Sequence, residues 1–191
     1  MKEERRREEV PPNQRVTSKL PTLTYGPTPR IDVDKWRLDI DGLVEETVSF
    51  TWQELLALPH SAPVIDIHCV TGWSLLDSAW EGIASQEIMK RVRLKPEAKY
   101  LLAESYGGYT TNLSVADFLA ENVLLAFNFA DEPLTPEHGW PVRLVVPHLY
   151  FWKSAKWLRR LTFREHDEPG FWESVGYHVR GDPWKEERYS H

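Results

Sequence analysis

Asp66-Ile67-His68-Cys69-Val70-Thr71-Gly72-Trp73-Ser74 carries the only cysteine of the chain, and its pattern predicts a strand running straight into a turn. A single thiol excludes an internal disulfide framework. Cys69 therefore either packs as a small buried hydrophobe or acts as a nucleophile, a redox thiol or a metal ligand. His68 beside it is a poor partner for nucleophilic chemistry, because adjacent strand residues point to opposite faces.

Outward from this stretch, strands and short helices alternate without a regular βαβ spacing. Trp36 to Asp41 alternates with period two and ends at Gly42, as a half-buried strand does. Thr51-Trp52-Gln53-Glu54 is a capping box ahead of Leu55, Leu56 and Leu58, and Pro59 closes that helix. Further strands are expected over Ala62 to Cys69, Lys99 to Glu104, Tyr109 to Leu113, Val123 to Phe129, Val142 to Val146 and Trp157 to Phe163. Ser85 to Val92 reads as a helix, and Ser114 caps another. Glu165 to His191, with turn residues at Pro169-Gly170 and Gly181-Asp182-Pro183, is expected to wrap the surface. The class is α+β with mixed β-sheets and short helices, without an internal repeat.

The chain has 191 residues, 41% apolar and 12% aromatic, enough to bury the core of one domain. Its first nine residues carry four basic and four acidic side chains and read as a solvated tail. Pro11, Pro12, Pro21, Pro27 and Pro29 keep the stretch up to Arg30 extended. Residues 1–19 are thus expected to be a flexible tail and 20–191 the folded domain. A net charge of −6 argues against nucleic acid as a partner. No stretch reaches the roughly 18 apolar residues of a membrane span. Arg5-Arg6-Arg7 is followed by Glu8 and Glu9 rather than by the apolar run of a twin-arginine leader, so a cytoplasmic location is expected.

No CxxC, HExxH or GxGxxG motif is present, and the seven histidines show no ligand spacing for a protein-only zinc site. The nine tryptophans read as core and pocket walls. His138-Gly139-Trp140-Pro141-Val142-Arg143-Leu144-Val145-Val146-Pro147, followed by Phe151-Trp152-Lys153-Ser154-Ala155-Lys156-Trp157-Leu158-Arg159, carries a sharper signal. Read blandly, it is an edge strand bounded by prolines and a solvated basic turn. Read chemically, Arg143, Lys153, Ser154 and Lys156 converge on an anionic group, because guanidinium and ammonium groups match phosphate oxygens. A soft thiolate with an anion cradle suggests a phosphorylated metal cofactor.

Three segments in order, His68 to Ser74 with Trp80-Glu81-Gly82, Glu137 to Pro147, and Lys153 to Leu158, resemble the molybdopterin domain of the sulfite oxidase family, in particular its short haem-free bacterial oxidoreductases. The resemblance covers about Leu20 to Tyr189. It implies a sulfite oxidase-type fold, Mo-molybdopterin as cofactor, two-electron oxygen-atom transfer on a small sulfur or nitrogen oxo substrate, and an external electron carrier, haem or another redox protein. It also implies Cys69 as the catalytic metal ligand. Arg143 would hold the pterin or its phosphate, Ser154, Ala155 and Lys156 would form the turn around the phosphate end, and His138 would lie against the pterin. Ser105 corresponds to a small hydroxyl residue contacting the cofactor, and Thr24 and Tyr25 to the N-terminal loop that touches the pterin. Trp73, Tyr106, Tyr109 and Tyr150 are candidates for the pocket wall.

The chain departs from true sulfite oxidases at Leu23-Thr24-Tyr25, where those enzymes carry a substrate-binding arginine, which argues against sulfite as natural substrate. Two other classes remain: a non-catalytic molybdopterin carrier, which would lack an open channel, and a cysteine-nucleophile enzyme, which would need a histidine from elsewhere against Cys69.

Overall fold

The computed structural model describes residues 10–190. The expected tail over the first nine residues lies outside them. Eleven strands form two sheets in the described chain. In order they are β1 (Arg15–Thr17), β2 (Arg37–Gly42), β3 (Val48–Thr51), β4 (Val64–His68), β5 (Trp73–Ala84), β6 (Tyr100–Ser105), β7 (Thr110–Ser114), β8 (Leu124–Phe129), β9 (Glu132–Pro133), β10 (Arg143–Val145) and β11 (Leu158–Arg164). Among the described residues four short α-helices accompany them: α1 (Trp52–Leu56), α2 (Ser85–Met89), α3 (Val115–Phe118) and, after the last strand, α4 (Phe171–Ser174).

One sheet runs β3-β2-β11-β6-β7, with β11 parallel to β2 and the other pairs antiparallel. The other runs β1-β5-β8-β10, with β4 also on β5 and β9 on β8. The mixed sheets expected from the sequence are present, and element ends move by a few residues at most. The capping box forms: Thr51 Oγ1 accepts from the Glu54 backbone N–H and Glu54 Oε2 accepts from the Thr51 N–H. Such caps contribute about 0.5–2 kcal/mol, which matters for a helix of five residues.

The long strand β5 is absent from the sequence reading. Its alternation breaks at Asp77, which takes φ +51° and donates its N–H to Asp66 Oδ1 at 2.8 Å. The residues before this break pair with β1 and β4, and those after it pair with β4 and β8. Gly82 is required here, because a Cβ would sit 2.3 Å from the Leu125 carbonyl oxygen. Ordered structure also precedes Leu20. Val10 is buried, and Arg15–Thr17 adds parallel to Trp73–Leu75. The prolines at positions 11, 12 and 21 flank this three-residue strand without removing its N–H donors.

Two hydrophobic cores share β8 and β10. Leu125, Phe127 and Leu144 face the larger one with Trp36, Leu38, Leu101 and Phe163. Leu124, Ala126 and Val145 face a smaller one with Ile67, Cys69, Trp73 and Trp80. Side chains alternate along a strand, so Arg143, two residues from Val145, lies on the face of β10 that looks toward the cysteine. The strand period thus brings the two most distinctive residues of the sequence to one side.

Candidate cofactor site

A cavity of about 370 Å³ opens where the N-terminal segment, the turn after β4, β10, the segment before β11 and α4 meet. That size suits a small-molecule or cofactor site. Cys69 sits on its wall in a turn closed by the Gly72 N–H donating to the Cys69 carbonyl at 2.9 Å and the Cys69 N–H donating to the Trp73 carbonyl at 2.8 Å. Gly72 takes φ +92° to complete the turn. Thr71 Oγ1 donates to Cys69 Sγ at 3.2 Å. Burial pushes the thiol pKa up, opposed by the Thr71 bonds and the Arg188 charge. A protonated thiol suits the protein alone, whereas a coordinating thiol is deprotonated outright by the metal.

Arg143 is buried, its guanidinium 4.3 Å from the Phe151 ring centroid. Nη1 donates to the His138 carbonyl and Nη2 to the Ser154 carbonyl, both at 2.9 Å. Burial lowers its pKa to about 9. Lys156 Nζ donates to the carbonyls of Leu23 at 2.9 Å and Glu137 at 2.8 Å and to Thr24 Oγ1 at 2.5 Å. Burial, then the Arg143 charge, brings the Lys156 pKa down to about 8. Two cations are thus held close together on one wall, an arrangement that an anionic group would relieve. Gly139 permits their approach: it takes φ +112°, and a Cβ there would meet Arg143 Cβ and Lys156 Cβ at 3.0 Å.

His138 also lines the cavity, with Nε2 3.0 Å from Thr22 Oγ1 and Nδ1 3.2 Å from Thr135 Oγ1. Burial, then Arg143, lowers its pKa, which favours the neutral ring. Thr24, Tyr25 and Ser154 complete the expected residues that reach the wall, and Ser154 Oγ accepts from the Val146 N–H at 2.9 Å. The aromatic lining includes the expected Trp73 and Tyr109.

Other expected residues lie off the lining of this cavity. Ser105 is fully buried at the end of β6, and neither it nor Ala155 lines the cavity. Ala155 packs in the larger core, its carbonyl accepting from the Leu144 N–H at 2.8 Å. Lys153 is wholly buried away from the cavity, with Nζ 2.7 Å from Glu173 Oε1 and bonded to Asn112 Oδ1 at 2.7 Å. Tyr106 and Tyr150 are likewise absent from the lining. The C-terminal segment does more than wrap the surface: Trp172 and Tyr177 form part of the wall, stacked with centroids 5.0 Å apart. The aromatic pair Phe171-Trp172 after Pro169-Gly170 is the only sequence signal that could have marked them.

The donor set passes a test of fit to a large anionic, sulfur-ligated group. Trp73 Nε1 and Arg143 Nε are buried donors without a protein partner, and both residues line the cavity beside the thiol. Buried donors left unpaired are costly unless a ligand or water takes the bond.

A fold of two mixed sheets with a thiol, paired cations and aromatic walls around one cavity defines a domain built to bind a large anionic ligand. A sequence model of the oxidoreductase molybdopterin binding domain matches residues 25–172, and the chain belongs to that family. It is 50% identical over 182 residues to the uncharacterized oxidoreductase YuiH of Bacillus subtilis (strain 168), covering 95% of this chain and 92% of that protein. It is 27% identical to the putative protein-methionine-sulfoxide reductase subunit YedZ1 of Azospira oryzae, covering 89% of this chain and 66% of that one. Among solved structures it matches the sulfane dehydrogenase SoxCD of Paracoccus pantotrophus with a TM-score of 0.66 and 26% identity, over 73% of this chain and 41% of the other. The protein is a molybdopterin-dependent oxidoreductase of the sulfite oxidase type. Among the described residues, no helix is long and apolar enough to cross a membrane.

Proposed function

We propose that the protein catalyses two-electron oxygen-atom transfer on a small sulfur or nitrogen oxo substrate, exchanging electrons with an external carrier. The observation that carries this reading is the thiol of Cys69 on the wall of the cavity lined by Arg143 and Lys156. The bound molybdenum cofactor supplies the oxygen-atom and redox chemistry. Cys69 would give the metal its protein ligand. Arg143 Nε and Trp73 Nε1 would donate to the pterin or its phosphate, with Lys156 as the second cation. His138, Thr24, Tyr25 and Ser154 would line the same group.

The protein's own part is then to bind, orient and exclude water. Trp73, Trp172 and Tyr177 surround the space near the thiol with aromatic surface. No cation stands among Leu23, Thr24 and Tyr25, and Lys156 already donates to that segment. This wall supports a neutral oxo substrate better than sulfite.

The test is protein expressed with molybdate, assayed first for metal and for pterin released by oxidation. Turnover is then measured with a reduced dye as donor against sulfoxides, amine oxides and nitrate, and in the oxidative direction against sulfite. Near-stoichiometric cofactor with turnover of a sulfoxide or an amine oxide is expected. A fully loaded protein inert toward all of them would overturn the proposal.

A further inference from the structure

The turn carrying Cys69 is gripped from both ends of the chain. Gln14 donates from Nε2 to the Cys69 carbonyl at 3.1 Å. Arg188 donates from Nη1 to the Val70 carbonyl and from Nη2 to the Pro12 carbonyl at 3.4 Å. The Arg15 N–H then donates to the Gly72 carbonyl at 2.9 Å, so the carbonyls of Cys69, Val70 and Gly72 are all held by residues distant in sequence. All three holders lie outside residues 25–172, the part matched by the family.

The grip is itself held in place. Ser74 Oγ donates to Gln14 Oε1 at 3.3 Å, which fixes the amide with its NH₂ toward Cys69. His68 Nδ1 lies 2.8 Å from the same hydroxyl. Because the Ser74 proton points to Gln14, a bond from His68 requires the proton on Nδ1. The Arg188 guanidinium lies 5.0 Å from the Tyr150 ring centroid, and its Nε lies 3.8 Å from Glu186 Oε1. Glu186 Oε1 accepts in turn from Asn13 Nδ2 at 2.5 Å, joining the two terminal segments directly.

We propose that Gln14 and Arg188 are positioning residues for Cys69, holding its turn so that the sulfur meets the cofactor's metal in one orientation. This rests on the reading of Cys69 as the metal ligand. A four-residue turn fixed only by its own two backbone bonds would open locally far more often than one whose carbonyls are also held from outside. The strands of the family domain supply the cavity, and the flanking segments supply the rigidity of its ligand.

The experiment compares the parent chain with Gln14→Ala, Arg188→Gln and Arg188→Lys, each purified with and without molybdate supply. Hydrogen exchange in the cofactor-free proteins is expected to quicken roughly tenfold at the Cys69 and Gly72 amides in the first two variants, with β8 and β11 unchanged. In the loaded proteins the same two variants should broaden the paramagnetic resonance signal of the partly reduced metal. Arg188→Lys, which keeps a cation on the Val70 carbonyl, should restore much of the parental signal. Parental exchange and spectra in both loss variants would overturn the inference, as would exchange that quickens equally across the whole molecule. A parent without bound metal would sink the assignment of Cys69 as ligand, while exchange at the turn would still report the grip.

Discussion

Lys153 Nζ lies 2.7 Å from Glu173 Oε1 with both side chains inaccessible to solvent, tying the segment before β11 to α4. Glu173 Oε1 also accepts from Thr111 Oγ1 at 2.9 Å and Trp152 Nε1 at 2.8 Å, and Trp152 lines the cavity. The ion pair therefore anchors both Trp152 and the helix that brings Trp172 to the wall.

Removing one partner would leave the other charge buried and unpaired, at a cost of about 3–5 kcal/mol. Lys153→Met should lower the urea midpoint accordingly. The double variant Lys153→Met, Glu173→Leu should recover only a small part of that loss, because Trp152 Nε1 and Thr111 Oγ1 then lose their buried acceptor. A single variant as stable as the parent would show that the pair does not anchor α4.

The same pair shows what the sequence could tell. Lys153 and Lys156 look equivalent in a basic turn, yet a 3-10 turn at Phe151–Lys153 sends the first inward to Asn112 and Glu173 and leaves the second on the cavity wall. Partners outside the turn, Asn112 and Glu173, were decisive, and local pattern does not encode them. Cys69 and Arg143 were legible, because an isolated thiol at a strand end and a cation in an apolar strand are chemically conspicuous. That Ser105 and Ala155 are buried off the cavity wall was not legible, because a small side chain next to a turn carries no local mark of which way it faces. β5 was invisible because the break at Asp77 interrupts its period, and Gln14 and Arg188 were invisible because they act only through carbonyls.

Cys69→Ser removes the thiol without changing volume much, and the site is buried in the smaller core. The melting temperature should stay within a few degrees of the parent, because the thiol's one side-chain bond is from Thr71. Metal content should fall, and turnover should be lost. Parental turnover by the serine variant would remove Cys69 from the ligand position.

Asp117 supplies the acid limb of stability. Burial opposes its charge, but hydrogen bonds from His148, Arg180 and Ser114 outweigh burial and hold its carboxyl well below the ordinary value of 3.8. A carboxyl lowered on folding contributes stability that is fully present above its unfolded pKa and is lost as pH falls through the folded value. Asp117→Asn should therefore be less stable than the parent at pH 7, with the gap narrowing below about pH 4. Urea unfolding at pH 7 and pH 3 measures this, and a gap that widens in acid would contradict the sign.

Gly139 is the hinge on which the two cavity cations meet. An alanine Cβ would lie 3.0 Å from Arg143 Cβ and Lys156 Cβ, at a φ of +112° that L side chains rarely adopt. The strain costs about 1–3 kcal/mol. The contact, as distinct from the backbone strain, can be relieved only by moving Arg143 or Lys156, and Arg143 is fixed by its bonds to the His138 and Ser154 carbonyls. Gly139→Ala should thus displace Lys156, weaken its bonds to Leu23 and Thr24, and reduce pterin content more than it reduces thermal stability. Pterin release after oxidation, set beside the melting temperature of the same preparation, separates the two effects. Full pterin content in the alanine variant would show that the close approach of Arg143 and Lys156 is not needed to hold the cofactor.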